Sequence, residues 1–178
     1  VSLGEEIPTE LKQKAEDLQP KGTITHLWNK TGYWAPLERK IERMGWLRLP
    51  EEMLKVVGEF KQFAEEVKKE FDAVVILGMG GATQGVYTYR GIFGIKEGHP
   101  DLYILDTTYP RAIRGLESKI NLEKTLFIYS SKAGGAPEPQ RLFRYFYSKY
   151  QGSLEEQGKH FAAITDPGFP LEKEAQEK

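Results

Sequence analysis

The sequence contains no cysteine. That excludes disulfide frameworks, thiol catalysis and cysteine-ligated metals, and it fits a reducing compartment, so a cytoplasmic location is expected. Net charge is nearly absent too: 25 Lys and Arg against 26 Asp and Glu leave −1 at pH 7. No global field exists to draw nucleic acid or an anionic membrane, and neither is expected as a partner. Long hydrophobic runs are also lacking. The longest, Ala73 to Leu77, falls far short of the roughly 20 residues that span a bilayer. The first residues, Val1 to Glu6, lack the basic and apolar regions of a signal peptide and begin without Met, as a trimmed chain or a fragment would. Nothing in the sequence calls for a metal or a cofactor.

What is present is enough for one core. A chain of 178 residues suits a compact domain with a helical extension. Residues 1–50 read as an N-terminal helical arm, with short candidate helices over Thr9 to Leu18 and Pro36 to Met44. Pro50 opens the clearest helix. Met53, Val57, Phe60, Ala64, Val67 and Phe71 alternate at spacings of four and three, an apolar stripe on one face. From residue 51 to 178 the pattern is α/β. Ala73–Leu77, Leu102–Leu105, Thr125–Tyr129 and Phe161–Ile164 are continuous apolar runs, expected as buried strands. Between them lie the amphipathic stretches Gln84–Phe93, Pro110–Ile120 and Pro137–Tyr150, and Pro170 begins a last helix. Such alternation predicts a three-layer, flavodoxin-like parallel sheet with helices on both faces.

In an open parallel sheet, ligands bind beyond the carboxyl ends of the strands. Here those ends carry Gly78 to Thr83, Asp106 to Pro110, Ser130 to Ala136, and Thr165 to Pro170. Glycine lets backbone amides approach a ligand, and the helix N-termini that follow carry unpaired N–H groups. The loops after the first and third strands are therefore expected to converge on one anion. A dinucleotide site is the rival reading. Gly78-x-Gly80 begins its fingerprint, but Thr83 stands in place of the third glycine, while Asp106 could mimic the ribose acid.

The motifs Leu27-Trp28, Gly45-Trp46-Leu47, Leu77 to Gly81, Leu105-Asp106, Asn121 to Lys132, Phe143 to Phe146, and His160 to Gly168 carry a resemblance. From about Thr23 onward the chain is similar to the first sugar-isomerase (SIS) domain of glucose-6-phosphate isomerases, nearest to the branch fused to transaldolase. The resemblance implies a five-stranded parallel sheet and two Gly-rich loops that bind the sugar phosphate. The fifth strand is not apparent here, so a dimer partner or a second domain is expected at the open sheet edge. The family's Gly-Gly-Arg motif and its proton-transferring Glu, His and Lys come later than this sequence runs, so no isomerase activity is expected from it.

The departures from the family share one place. Where the family reads Gly-Gly-Ser-Ser, this chain reads Gly80-Gly81-Ala82-Thr83; for Ser-Lys-Ser-Gly-Thr-Thr it reads Ser131-Lys132-Ala133-Gly134-Gly135-Ala136. Tyr109 replaces a carboxylate, Phe169 replaces a small polar residue, and Gln84 and Tyr87 stand on the helix after the first loop. Phosphate-binding hydroxyls are lost and aromatic surface is gained. That pattern reads as a rebuilt pocket in an engineered scaffold, for binding or transforming an aromatic or apolar small molecule. Tyr87, Tyr109 and Phe169 are expected to share a cleft with Ala82, Ala133, Gly135 and Ala136. His26 is the candidate base or nucleophile, and Gln84, Thr83 and freed amides are candidate oxyanion donors. His160 reads as structural. The alternative is a disabled natural domain that keeps weak phosphosugar binding.

Overall fold

A computed structural model describes residues 49–151 and 153–177, together with Thr9 and Gln13. The arm expected over residues 1–50 therefore lies almost wholly outside the described residues. The chain divides into two compact units, Val1–Lys61 and Gln62–Lys178, with the break inside its first described helix, α1 (Leu49–Glu70). In the first unit, that helix begins at Leu49-Pro50, with Glu51 and Glu52 in its first turn, where acids complement the helix dipole.

The second unit holds the sheet. Its elements run β1 (Ala73–Leu77), α2 (Gly81–Phe93), β2 (Asp101–Leu105), α3 (Pro110–Glu117), a 3-10 turn (Leu122–Lys124), β3 (Thr125–Ser130), α4 (Pro137–Tyr147), α5 (Leu154–Gly158), β4 (Phe161–Ile164) and α6 (Pro170–Glu177). The four strands pair in the order β2-β1-β3-β4, all parallel. Ala73 stands opposite Asp101 on one side and Thr125 on the other, so β1 starts level with both neighbours. The α/β expectation holds. Continuous Val, Ile, Leu and Phe runs require cover on both faces, and helices supply it.

On one face, Val75, Leu77, Leu105, Phe127 and Tyr129 pack under Leu116 of α3, Leu142, Phe143 and Phe146 of α4, and Leu171 of α6. Phe127 and Phe146 stack with centroids 4.5 Å apart and are fully buried. On the other face, Val67 and Phe71 cover Leu126. The right-handed crossover from β1 to β2 runs opposite to those leading to β3 and β4, so α2 lies on this second face. His160 is structural, as its place before β4 suggested. It stacks on Tyr150 at 4.4 Å, meets Phe71 edge-on at 5.7 Å, and sets Nδ1 3.2 Å from the Thr125 carbonyl oxygen.

The structure differs from the sequence pattern in local detail. The stripe on α1 is buried only at its end: Val67 and Phe71 pack, while Met53, Val57 and Phe60 are exposed. The helix expected to reach Tyr150 stops at Tyr147. A separate short helix, α5, follows it, started by a capping box in which Ser153 and Glu156 satisfy each other's backbone amides.

Candidate functional site

The strand order reverses between β1 and β3, and their carboxyl ends open onto a cleft of about 530 Å³. Among the described residues it is lined by Met79, Gly81 and Ala82 after β1, Ser130, Ser131, Lys132 and Ala136 after β3, and Ile164, Thr165 and Asp166 at the end of β4, with Pro139 beneath. This is the switch-point position at which doubly wound sheets take ligands. The loop ends are bonded to one another. Ser131 N–H donates to the Ile164 carbonyl at 2.9 Å. The Lys132 carbonyl accepts from both Asp166 N–H (3.0 Å) and the Thr165 hydroxyl (3.1 Å). Lys132 Nζ stands 3.6 Å from Asp166 Oδ2, and both side chains are about half exposed.

The first Gly-rich loop divides its residues between closing a turn and lining the cleft. Gly80 is the N-cap of α2 with φ 57°, a left-handed conformation that favours glycine, and no side chain caps the helix. Gly81 and Ala82 face the cleft. Thr83 does not: it is fully buried, donates its hydroxyl to the Gly80 carbonyl at 3.0 Å, and packs against Gly78. Its expected role as an oxyanion donor is corrected, because the hydroxyl is already used to close the turn.

The second loop divides in the same way. Ser131 is buried, and its Oγ accepts Gly134 N–H at 3.1 Å. Gly134, with φ 69°, lies against α6; a Cβ there would sit 2.8 Å from Leu171 Cβ. Its glycine is required by packing rather than by a ligand. Lys132 and Ala136 line the cleft, whereas Ala133 and Gly135 do not. Ala136 caps α4 without a side-chain bond, and Pro137 and Pro139 follow it. Two of that helix's first three residues thus carry no N–H, so α4 offers an anion fewer donors than its position suggested.

The aromatic walls expected here are not brought together. Tyr109 follows β2 and Phe169 follows β4, at opposite edges of the sheet. Three strand spacings put those edges about 14 Å apart. Tyr87 turns to the β2 side: burial and the neighbouring Asp106 carboxylate, which its hydroxyl meets, push its pKa up. None of the three is among the cleft's lining residues. Gln84 is exposed on α2 and likewise absent from the lining. His26 lies outside the described residues. The sequence places Ser130, Thr165 and Asp166 at strand ends without giving them a site role; the signal was there, since polar residues at the ends of neighbouring parallel strands reach the same end of the sheet.

A second cavity, about 410 Å³, opens beside the edge strand β4 against Tyr129, Phe143, Tyr147 and Phe161. It is an exposed flank of the aromatic core, so the switch-point cleft is the candidate site. No group of three or more His, Asp or Glu among the described residues is placed to hold a metal, and no described helix is long and apolar enough to cross a membrane.

No protein-family model matches the chain. A glucose-6-phosphate isomerase of Campylobacter jejuni is 31% identical over 140 residues, 78% of this chain and 34% of that protein. The chain is homologous to part of glucose-6-phosphate isomerases. A probable glucose-6-phosphate isomerase of Methanococcus maripaludis is 33% identical over 115 residues, 61% of this chain and 25% of that protein. The crystal structure of the Chlamydia trachomatis glucose-6-phosphate isomerase matches with a TM-score of 0.55 at 27% identity, over 68% of this chain and 23% of that one. The chain thus spans about a third or less of the length of these isomerases.

Proposed function

We propose that this chain is a sugar-phosphate-binding domain of the glucose-6-phosphate-isomerase kind, and that the cleft between the ends of β1 and β3 takes the phosphate. One observation carries the reading: Lys132 and the Gly81 end of the 13-residue helix α2, which no side chain caps, open onto the same cleft, while the Ala82 and Thr83 amides close the turn onto the Met79 and Gly80 carbonyls. A cation beside oriented amide donors is the arrangement a phosphate uses. The homology to the isomerases supports it. Binding without turnover is the expected behaviour, because Lys132 and Asp166 are the only charged side chains among the described lining residues and they are paired with each other. No ring-opening acid and base stand free beside them there.

A cleft rebuilt by design for an aromatic ligand is the second reading, favoured by the apolar side chains of Met79, Ala82, Ala136, Pro139 and Ile164 in the lining. A thermal-shift titration separates the two. Glucose 6-phosphate at about 100 times its dissociation constant should add ~2.7 kcal/mol of stability. For a chain of this size that is a rise in Tm of roughly 5–10 °C. Lys132→Ala should remove most of the shift. A larger shift with hydrophobic aromatic compounds, and none with glucose 6-phosphate, would overturn the phosphosugar reading.

A further inference from the structure

Resting on that reading, we propose that Asp166 is the resident counter-ion of the phosphate site: it pairs with Lys132 and is exchanged for the ligand's phosphate on binding. It thereby sets the site's affinity for anions. Three observations carry the inference. First, the pairing is built in. The Asp166 amide and the Thr165 hydroxyl both donate to the Lys132 carbonyl, at 3.0 and 3.1 Å, which fixes the two backbones side by side at the ends of β3 and β4. With the backbones held, the Lys132 ammonium and Asp166 carboxylate face each other at 3.6 Å. Second, among the described residues that line the cleft these two alone carry charge, one of each sign, so the charges of that described lining cancel. Third, both side chains remain about half exposed, so the pair is open to exchange rather than locked in the core.

The consequences follow from charge. A phosphate dianion entering the cleft competes with Asp166 for the Lys132 ammonium, and it then lies near the carboxylate, which repels it. Asp166→Asn removes the competitor and the repulsion together. It keeps the backbone amide that holds the Lys132 carbonyl, so the loop geometry stays. The substitution should therefore tighten phosphate binding, whereas a residue that merely braced the loop would weaken binding when replaced.

The test is calorimetric titration of the 178-residue chain with glucose 6-phosphate at low ionic strength, with unphosphorylated glucose as the control ligand. Asp166→Asn should lower the dissociation constant for glucose 6-phosphate about five-fold, with no gain for glucose. The advantage should shrink as salt is raised well above 0.1 M, roughly where screening reaches contact distances. Asp166→Glu, which restores the negative charge, should bring the affinity back towards the wild-type value. Asp166→Ser serves as a second uncharged variant should the Asn protein lose its cooperative thermal transition. Equal or weaker binding by the uncharged variants, with wild-type binding intact, overturns the counter-ion role alone. Absence of glucose 6-phosphate binding in wild type and variants overturns the phosphosugar reading, and the counter-ion role with it. Binding by the uncharged variants but not by wild type supports both.

Discussion

Gly134→Ala isolates what the second Gly-rich loop is for. Gly134 has φ 69°, and a Cβ added there would stand 2.8 Å from Leu171 Cβ and 3.1 Å from Leu171 N. The left-handed conformation alone costs a non-glycine residue about 1–2 kcal/mol. Leu171 is buried against the core and its backbone belongs to α6, so neither contact atom is the free end of a flexible chain. Forcing a methyl into such a contact adds about 1–3 kcal/mol. The gain from a less mobile unfolded chain returns only about 0.4–1 kcal/mol. The net loss should be about 1–4.5 kcal/mol, or roughly 2–18 °C in Tm. Gly135 is the control. No atom lies within 4 Å of its missing Cβ and its φ is not positive, so Gly135→Ala should be neutral or slightly stabilising. Urea unfolding of the two variants reads the difference directly. If Gly134→Ala proved as stable as Gly135→Ala and lost only ligand affinity, the assignment of Gly134 to packing would be wrong.

Two further outcomes follow from local geometry. Burial would raise the Glu117 carboxyl pKa, but hydrogen bonds from Lys149 (2.7 Å) and the Tyr145 hydroxyl (2.9 Å) outweigh it and hold the group below the usual carboxylate range. A depressed folded pKa contributes stability that is present above the unfolded pKa and lost as pH falls through the folded one; Glu117→Gln should cost about 0.5–1 kcal/mol at pH 7 and flatten the loss of stability below about pH 4.5, and an unchanged acid limb in urea titrations would refute it. Ala136→Ser should stabilise α4 by about 0.5–1 kcal/mol, because the new hydroxyl can accept from Glu138 N–H, the one amide donor among that helix's first three residues. The same hydroxyl faces the cleft and should tighten glucose 6-phosphate binding several-fold, whereas Ala133→Ser, outside the lining, should not.

The strands and the end of the sheet that bears the cleft were legible because both follow from short-range pattern. A run such as Ala73-Val74-Val75-Ile76-Leu77 is apolar on both faces, as a strand of a parallel sheet covered by helices is, and the ligand end of a parallel sheet is then fixed by chain direction. What the pattern does not contain is strand order, and the side-chain errors trace to that. Tyr109 and Phe169 both follow strands at the ligand end, yet β2 and β4 are the two edges, so their loops do not meet. Thr83 and Gly134 look like ligand-facing loop residues until the partners that claim them, Gly78 and Leu171, are known. The charge state of the site has the same origin. Lys132 and Asp166 are distant in sequence and each reads as a lone charge at a strand end. Parallel pairing of β3 with β4, in register from Phe127 with Phe161 to Ser130 with Ile164, carries both strands to the same height and leaves the next residues facing each other. The cleft's composition is therefore a consequence of the order β2-β1-β3-β4. The loops after β1, β3 and β4 share it, the loop after β2 is excluded, and the cation that suits a phosphate arrives already paired with an anion.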